Sequence, residues 1–183
     1  MILNVIEGVF LGNKTDTYSR LVNYMDGFDQ FILYHGTSEV FRDGILRKGL
    51  KCRGVTENSV YGKGHTEGKP SDSGLVYVSN FHWACRMGLN AAHIYGGEMT
   101  VFQFLIKKED LVADEDSGKP TGVESLAWEG TAAVRDIISP RQIVGVFNVH
   151  SCPDWGLYDR LVRRLPRMPL DEKVVELAHG SFQ

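Results

Sequence analysis

The chain has 183 residues, 43% of them hydrophobic and 23% charged, with a formal net charge of −3 at pH 7. That size and balance predict one ordinary soluble globular domain with a sizeable core. The slight acidity gives no reason to expect a surface that coats nucleic acid generally, and no apolar run approaches the roughly 18–20 residues that span a bilayer.

The first residues carry no basic segment followed by an apolar block, so no secretory signal is predicted and the expected setting is cytoplasmic. Cys52, Cys85 and Cys152 are odd in number and far apart. This spacing argues against a disulfide framework or a zinc site and for reduced thiols. The histidines are scattered as well, so no metal is expected.

In chain order, Tyr18, Leu21, Val22 and Met25 recur at helical spacing within Thr15–Asp26, and Gly27 is a natural stop. An apolar strand, Gln30–His35, leads into the turn His35-Gly36-Thr37. A helix is predicted over Ser38–Lys48, with Ser38 as N-cap and Gly49 as terminator. Residues 51–73 are rich in Gly, Ser, Lys and Thr and read as a long loop. A strand at Leu75–Ser79 and a helix at Phe81–Tyr95 follow, then a β-prone run at Thr100–Ile106.

The acidic segment Asp110–Asp116 lacks a calcium-loop pattern and reads as a solvated turn before a Gly/Pro loop. Strands are predicted at Gly130–Val134 and Ile143–Val149, with Pro140 in the turn between them. Trp155–Leu165 reads as an amphipathic helix with Arg160, Arg163 and Arg164 outward, and a short helix near Glu172–Ala178 ends the pattern. Strands in the middle and helices at the ends give an α+β class with a mixed or split sheet. No repeat or linker divides the chain. A single domain is expected over residues 1–183, with a core at about 28–150 and a helical tail at 151–183.

Three segments carry the candidate chemistry. Tyr34-His35-Gly36-Thr37 is followed by Gly44-Ile45-Leu46 and Gly49-Leu50; Val76-Tyr77-Val78-Ser79 precedes a helix containing Ala84; Glu129 precedes a β-run to Val134, then Ile137, Ile138, Pro140 and Ile143. A strand-end imidazole at His35 offers one ring nitrogen to a hydroxyl while the protein fixes the other. Gly36 permits close approach to the backbone, Thr37 adds a hydroxyl, and the Tyr77 ring can stack on a flat ligand. A carboxylate near a sugar that develops positive charge stabilises it. Glu129 is the first candidate for that role, read as opening a strand, and Glu124 on the preceding loop is the rival.

In their order these segments resemble the ADP-ribosyltransferases, in the His-Tyr-Glu branch that holds diphtheria toxin and the poly(ADP-ribose) polymerases. The resemblance covers about Phe31–Val146. It implies a split mixed sheet with flanking helices and NAD as co-substrate. It further implies that His35 holds the adenosine ribose, that the Gly36 backbone bonds the nicotinamide carboxamide, and that Tyr77 stacks on nicotinamide.

Arg86, Met87 and Gly88 stand where the branch carries a second aromatic, with Tyr95 the next tyrosine. Gly62-Lys63-Gly64 resembles a glycine-lysine turn of the polymerases but lies well before the strand. These departures fit mono-ADP-ribosylation, or an outlying branch, better than polymer building.

The function the resemblance implies is NAD-dependent mono-ADP-ribosyl transfer to a macromolecular acceptor, protein or nucleic acid. The setting would be the cytosol, as a toxin, a phage or defence factor, or a modifier, with no membrane partner. The alternatives are a nucleic-acid-directed ADP-ribosyltransferase, an RNA 2'-phosphotransferase-like enzyme, and an inactive module that binds NAD or ADP-ribose.

Overall fold

The structure, a computed structural model, describes residues 2–4, 14–56 and 74–149. Its elements are β1 (Ile2–Asn4), α1 (Lys14–Asp26), β2 (Gln30–Ser38), α2 (Arg42–Lys48), β3 (Leu50–Lys51), α3 (Arg53–Thr56) and β4 (Leu75–Ser79). They continue with α4 (Phe81–Tyr95), β5 (Met99–Lys107), β6 (Leu111–Val112), α5 (Gly122–Glu129), β7 (Thr131–Arg135), β8 (Ile137–Ile138) and β9 (Ile143–Val149). The predicted helices after Pro153, the Gly62-Lys63-Gly64 turn and Cys152 lie outside the described residues.

The class is α+β. The main sheet runs β6-β7-β4-β2-β5-β9 with every pair antiparallel, and β1 adds a parallel ladder along the start of β2. A two-stranded sheet, β3-β8, stands beside it. No helix among the described residues is long and apolar enough to cross a membrane.

The spine is the β2–β5 ladder, paired without a break from Gln30↔Lys107 to Ser38↔Met99. Side chains alternate along such strands, so Phe31 and Leu33 face one side of the sheet and Ile32 and Tyr34 the other. Phe31 and Leu33 join Phe102, Phe104 and Ile106 with no exposed surface, and α1 closes over that core with Leu21 and Met25. Each such side chain stabilises the fold by about 1.5–3 kcal/mol relative to an exposed one. On the opposite face Tyr34, Met99 and Val101 pack against Ala84 and Cys85 of α4.

That second face dictates a glycine. A Cβ built on Gly36 would stand 1.6 Å from the Ala84 carbonyl oxygen and 2.7 Å from the Gly88 nitrogen. Only a residue without a side chain lets α4 lie this close to β2.

Local signals set the element ends. The Ser38 hydroxyl accepts the Val40 N–H and caps a 3₁₀ turn, Glu39–Phe41, which α2 continues to its stop at Gly49. The helix predicted over Ser38–Lys48 is thus two elements, and β2 itself runs on to Ser38. Asn80, buried at 1% exposure, caps α4 through its side-chain oxygen on the Trp83 N–H at 2.9 Å. Residues 51–56 are not all loop, because Lys51 lies in β3 and Arg53–Thr56 forms α3.

One prediction is corrected with consequences for the site. The Gly/Pro loop before β7 holds the helix α5, and Glu129 ends that helix instead of opening a strand. Gly130, with φ 75°, turns its N–H back to the Leu126 carbonyl as a left-handed helix stop, so β7 starts at Thr131. Glu124 likewise sits in the first turn of α5 and not on a loop.

Candidate functional site

β2 and β4 pair at Tyr34↔Ser79 alone, and the ladder carries no further pair toward Thr37 and Leu75. A cleft of about 920 Å³ opens there. Its lining takes consecutive residues from both strands, His35-Gly36-Thr37 and Leu75 to Ser79. Consecutive strand residues point to opposite faces, so a cleft that touches all of them runs along the parted strand edges themselves.

The candidate residues come together. His35, Gly36, Thr37, Tyr77 and Glu129, drawn from three distant segments, all line this cleft. The role read for Gly36 acquires a second cause, because its missing side chain is already required by α4. Glu124 is not among the lining residues. Its backbone N–H is accepted by the Thr121 hydroxyl, which donates to its carboxylate at 2.8 Å, a helix cap.

His35 is held by one ring nitrogen, its Nδ1 lying 2.9 Å from the Tyr77 carbonyl oxygen. A carbonyl only accepts, so Nδ1 carries the proton and Nε2 of the neutral ring is an acceptor. Burial pushes the imidazole below its ordinary value of 6.5, and the Tyr77 carbonyl opposes that only in part. The ring is therefore neutral at pH 7, poised to accept from a hydroxyl.

A pH dependence follows. The folded state takes up the His35 proton less readily than the unfolded chain, so the neutral ring's contribution to stability is complete above pH 6.5. It is lost as the pH falls from 6.5 toward the depressed folded value. Thermal melts between about pH 5 and 8 should show wild type losing more melting temperature on acidification than His35→Gln. Parallel curves would mean that the imidazole does not titrate as its burial requires.

Tyr77 is anchored at both ends. Its backbone pairs with Ala133 of β7, and its hydroxyl donates to the Glu115 carboxylate at 2.5 Å from each oxygen. Glu115 opens a 3₁₀ turn, Glu115–Ser117, in the acidic segment, so that segment is not simply a solvated turn. Asp114 and Asp116 line the cleft beside Glu129.

Like charge crowds around Glu129. Burial, then the Asp114 and Asp116 carboxylates, push the Glu129 carboxyl above its ordinary value, with Lys119 partly opposing. Burial raises Asp114 as well, against the hydrogen bond it accepts from the Asp116 N–H and the opposing effect of the Thr131 side chain, and with the weaker help of the Glu115 and Asp116 charges. Among the described residues no group of three His, Cys, Asp or Glu side chains gathers to hold a metal ion.

Several lining residues carried no functional reading in the sequence. Trp83 and Met87 of α4 line the cleft, as do Tyr95 and Trp128, so it carries aromatic surface besides Tyr77. Arg86 lies over the Trp83 ring at 5.0 Å, and Lys119 over Trp128 at 3.8 Å. Lys48, Lys51 and Arg53 add three cations to the same lining. The cleft is thus polarised, with carboxylates from the 114–116 turn and α5, and cations from α2, β3 and α3.

The α5 helix that carries Glu129 had a sequence signal, Thr121-Gly-Val-Glu124 ahead of Leu126 and Ala127 with Gly130 after them. That is a capping signature and a C-terminal stop. No such local signal existed for the cationic edge, since Lys48, Lys51 and Arg53 belong to three elements that only the fold aligns. No protein-family model matches the sequence, and no curated protein sequence matches it either.

Proposed function

We propose that this chain is an NAD-dependent mono-ADP-ribosyltransferase of the cytoplasm, with the ADP-ribosyltransferase-like fold, that transfers ADP-ribose to a macromolecular acceptor and releases nicotinamide. The observation that carries the reading is the convergence of His35, Gly36, Thr37, Tyr77 and Glu129 on one cleft at the parting of two strands. Its volume of about 920 Å³ suits an extended nucleotide, at the upper end of the range for small-molecule sites.

In this reading each residue has one task. His35 accepts a ribose hydroxyl on Nε2, the nitrogen its Tyr77 bond leaves available. The Gly36 backbone and Thr37 hold the carboxamide, and the Tyr77 ring stacks on the nicotinamide. Glu129 orients the reacting ribose and stabilises the positive charge that builds on it as the glycosidic bond breaks. Nicotinamide leaves with the bonding electron pair, and the acceptor nucleophile bonds to the same sugar carbon.

The test is release of free nicotinamide from NAD by the purified protein, beside His35→Ala and Glu129→Gln. The expected result is release by wild type that both substitutions abolish. Absence of release, together with no thermal shift on adding NAD, would overturn the reading and favour a module that shares only the fold.

A second reading keeps NAD chemistry but directs it at nucleic acid, by ADP-ribosylation or in the manner of an RNA 2'-phosphotransferase. Lys48, Lys51 and Arg53 in the lining are the observation behind it: three cations offer more positive charge than the NAD diphosphate alone needs and suit further phosphates of a nucleic acid. Binding of an oligonucleotide that weakens steeply with salt supports it, and salt-independent binding counts against it.

A further inference from the structure

The Tyr77–Glu115 contact does work that the proposed chemistry does not itself require. Glu115 is exposed, yet its carboxylate crosses from the 114–117 turn to β4 and receives the Tyr77 hydroxyl on both oxygens. The turn that presents it is built from its own hydrogen bonds. The Asp114 carboxylate caps the Asp116 N–H at 3.1 Å, and the Ser117 hydroxyl donates to the Asp114 carbonyl at 2.6 Å. The Asp114 N–H in turn donates to the Ser125 hydroxyl of α5 at 3.2 Å, so the turn is fastened to the helix that ends in Glu129.

From Glu115 the contacts run on through Tyr77 to His35, since the Tyr77 carbonyl is what His35 Nδ1 meets. One carboxylate thus links the turn bearing Asp114 and Asp116 to the aromatic wall and to the strand that carries the imidazole. A tyrosine on a strand has two soft side-chain torsions, and fixing the far end of the ring removes the freedom that a stacking ligand must otherwise remove on binding.

We propose that Glu115 is a positioning residue. It clamps the Tyr77 hydroxyl so that the ring stands ready as a stacking wall and the acidic turn stays closed against β4. This rests on the NAD-cleaving reading of the cleft, with Tyr77 as the nicotinamide platform. The clamp acts on binding of NAD and not on bond cleavage, and its loss is felt in KM.

The experiment compares wild type with Glu115→Ala, Glu115→Gln, Tyr77→Phe and the double variant Glu115→Ala/Tyr77→Phe. Nicotinamide release is measured against NAD concentration, and the ring resonances of Tyr77 are followed by NMR on tyrosine-labelled protein without ligand. Glu115→Ala is expected to raise KM by up to about tenfold, the cost of ordering one side chain on binding, with kcat within about twofold. Glu115→Gln keeps an acceptor oxygen and should recover most of the loss. Tyr77→Phe should cost about the same, and the double variant no more than either.

A KM unchanged in Glu115→Ala, a fall confined to kcat, or effects that multiply in the double variant would each overturn the proposal. If wild type releases no nicotinamide, that failure belongs to the reaction reading, and the Tyr77 resonances then decide the clamp. They shift in Glu115→Ala and return in Glu115→Gln if the clamp holds, and are identical in all three if it does not.

Discussion

Gly36→Ala should lower the melting temperature by about 6–12 °C or leave the chain unable to fold. The added Cβ meets the Ala84 carbonyl oxygen at 1.6 Å and the Ala84 carbonyl carbon at 2.6 Å, and backbone atoms cannot rotate aside as a side chain does. Relief requires lifting α4 off β2, which opens the contact of Tyr34, Met99 and Val101 with Ala84 and Cys85. Overpacking of this kind costs about 3 kcal/mol or more, and each kcal/mol is worth about 2–4 °C in a chain of this size.

Gly44→Ala is the internal comparison. A Cβ at Gly44 meets nothing within 4 Å, and the residue sits inside α2, where alanine is the better helix former. That change should raise stability by about 0.5–1 kcal/mol. Thermal melts of the two variants side by side test the packing account directly. Equal behaviour would show that α4 yields far more easily than its contacts imply.

Glu129→Gln should reduce nicotinamide release by about a hundredfold or more while NAD still binds, because a neutral amide cannot stabilise the sugar cation. Glu124→Gln should leave turnover alone, since that side chain does not line the cleft and receives the Thr121 hydroxyl, a bond that a glutamine carbonyl also accepts. A fully active Glu129→Gln enzyme would remove Glu129 from the mechanism.

The same substitution should make the fold slightly more stable at neutral pH. Burial and the neighbouring Asp114 and Asp116 raise the Glu129 carboxyl in the folded state above its ordinary 4.5. A group raised on folding binds its proton more readily there, so its stabilising contribution is present at low pH and is lost as pH rises past 4.5 through the folded value. Above that window the charge strains the site, and glutamine relieves the strain. Melts of both proteins at pH 7 and near pH 4 should show the advantage of Glu129→Gln only at the higher pH. A side chain that weakens its own fold while serving the site is a recognised pattern in catalytic clefts.

Much of the frame was legible from local pattern. The strands Leu75–Ser79 and Ile143–Val149 and the helix Phe81–Tyr95 fall where period and composition put them, because each buries one face or lies between clear stop signals. The misreading of residues 122–129 has a local cause. Gly122 and the preceding Pro120-Thr121 look like loop chemistry, and the eight-residue helix is too short for its period to stand out. Its cap signature was present and outvoted by composition.

The site was legible in a different measure. His35, Gly36 and Thr37 read as a polar turn closing a strand and Tyr77 as an aromatic on the next one; the structure keeps the chemistry but extends β2 through the turn to Ser38. The pairing that gives them meaning was not in the sequence. His35 and Tyr77 are 42 residues apart, and only the fold puts the imidazole on the Tyr77 carbonyl. Glu115 lay in a segment that local pattern assigned to solvent, and its partner is 38 residues away.

What the sequence determined by itself was the α+β class, the run of strand Leu75–Ser79, helix Phe81–Tyr95 and the β-strand after it, and the chemical kinds of group available. Those follow from hydrophobic period, propensity and stop residues, which act over a few positions along the chain. Only the tertiary structure decided which carboxylate faces the cleft, which glycine must be a glycine, and where β2 and β4 part. Those depend on contacts between distant segments, whose distances and burial no short window of sequence contains.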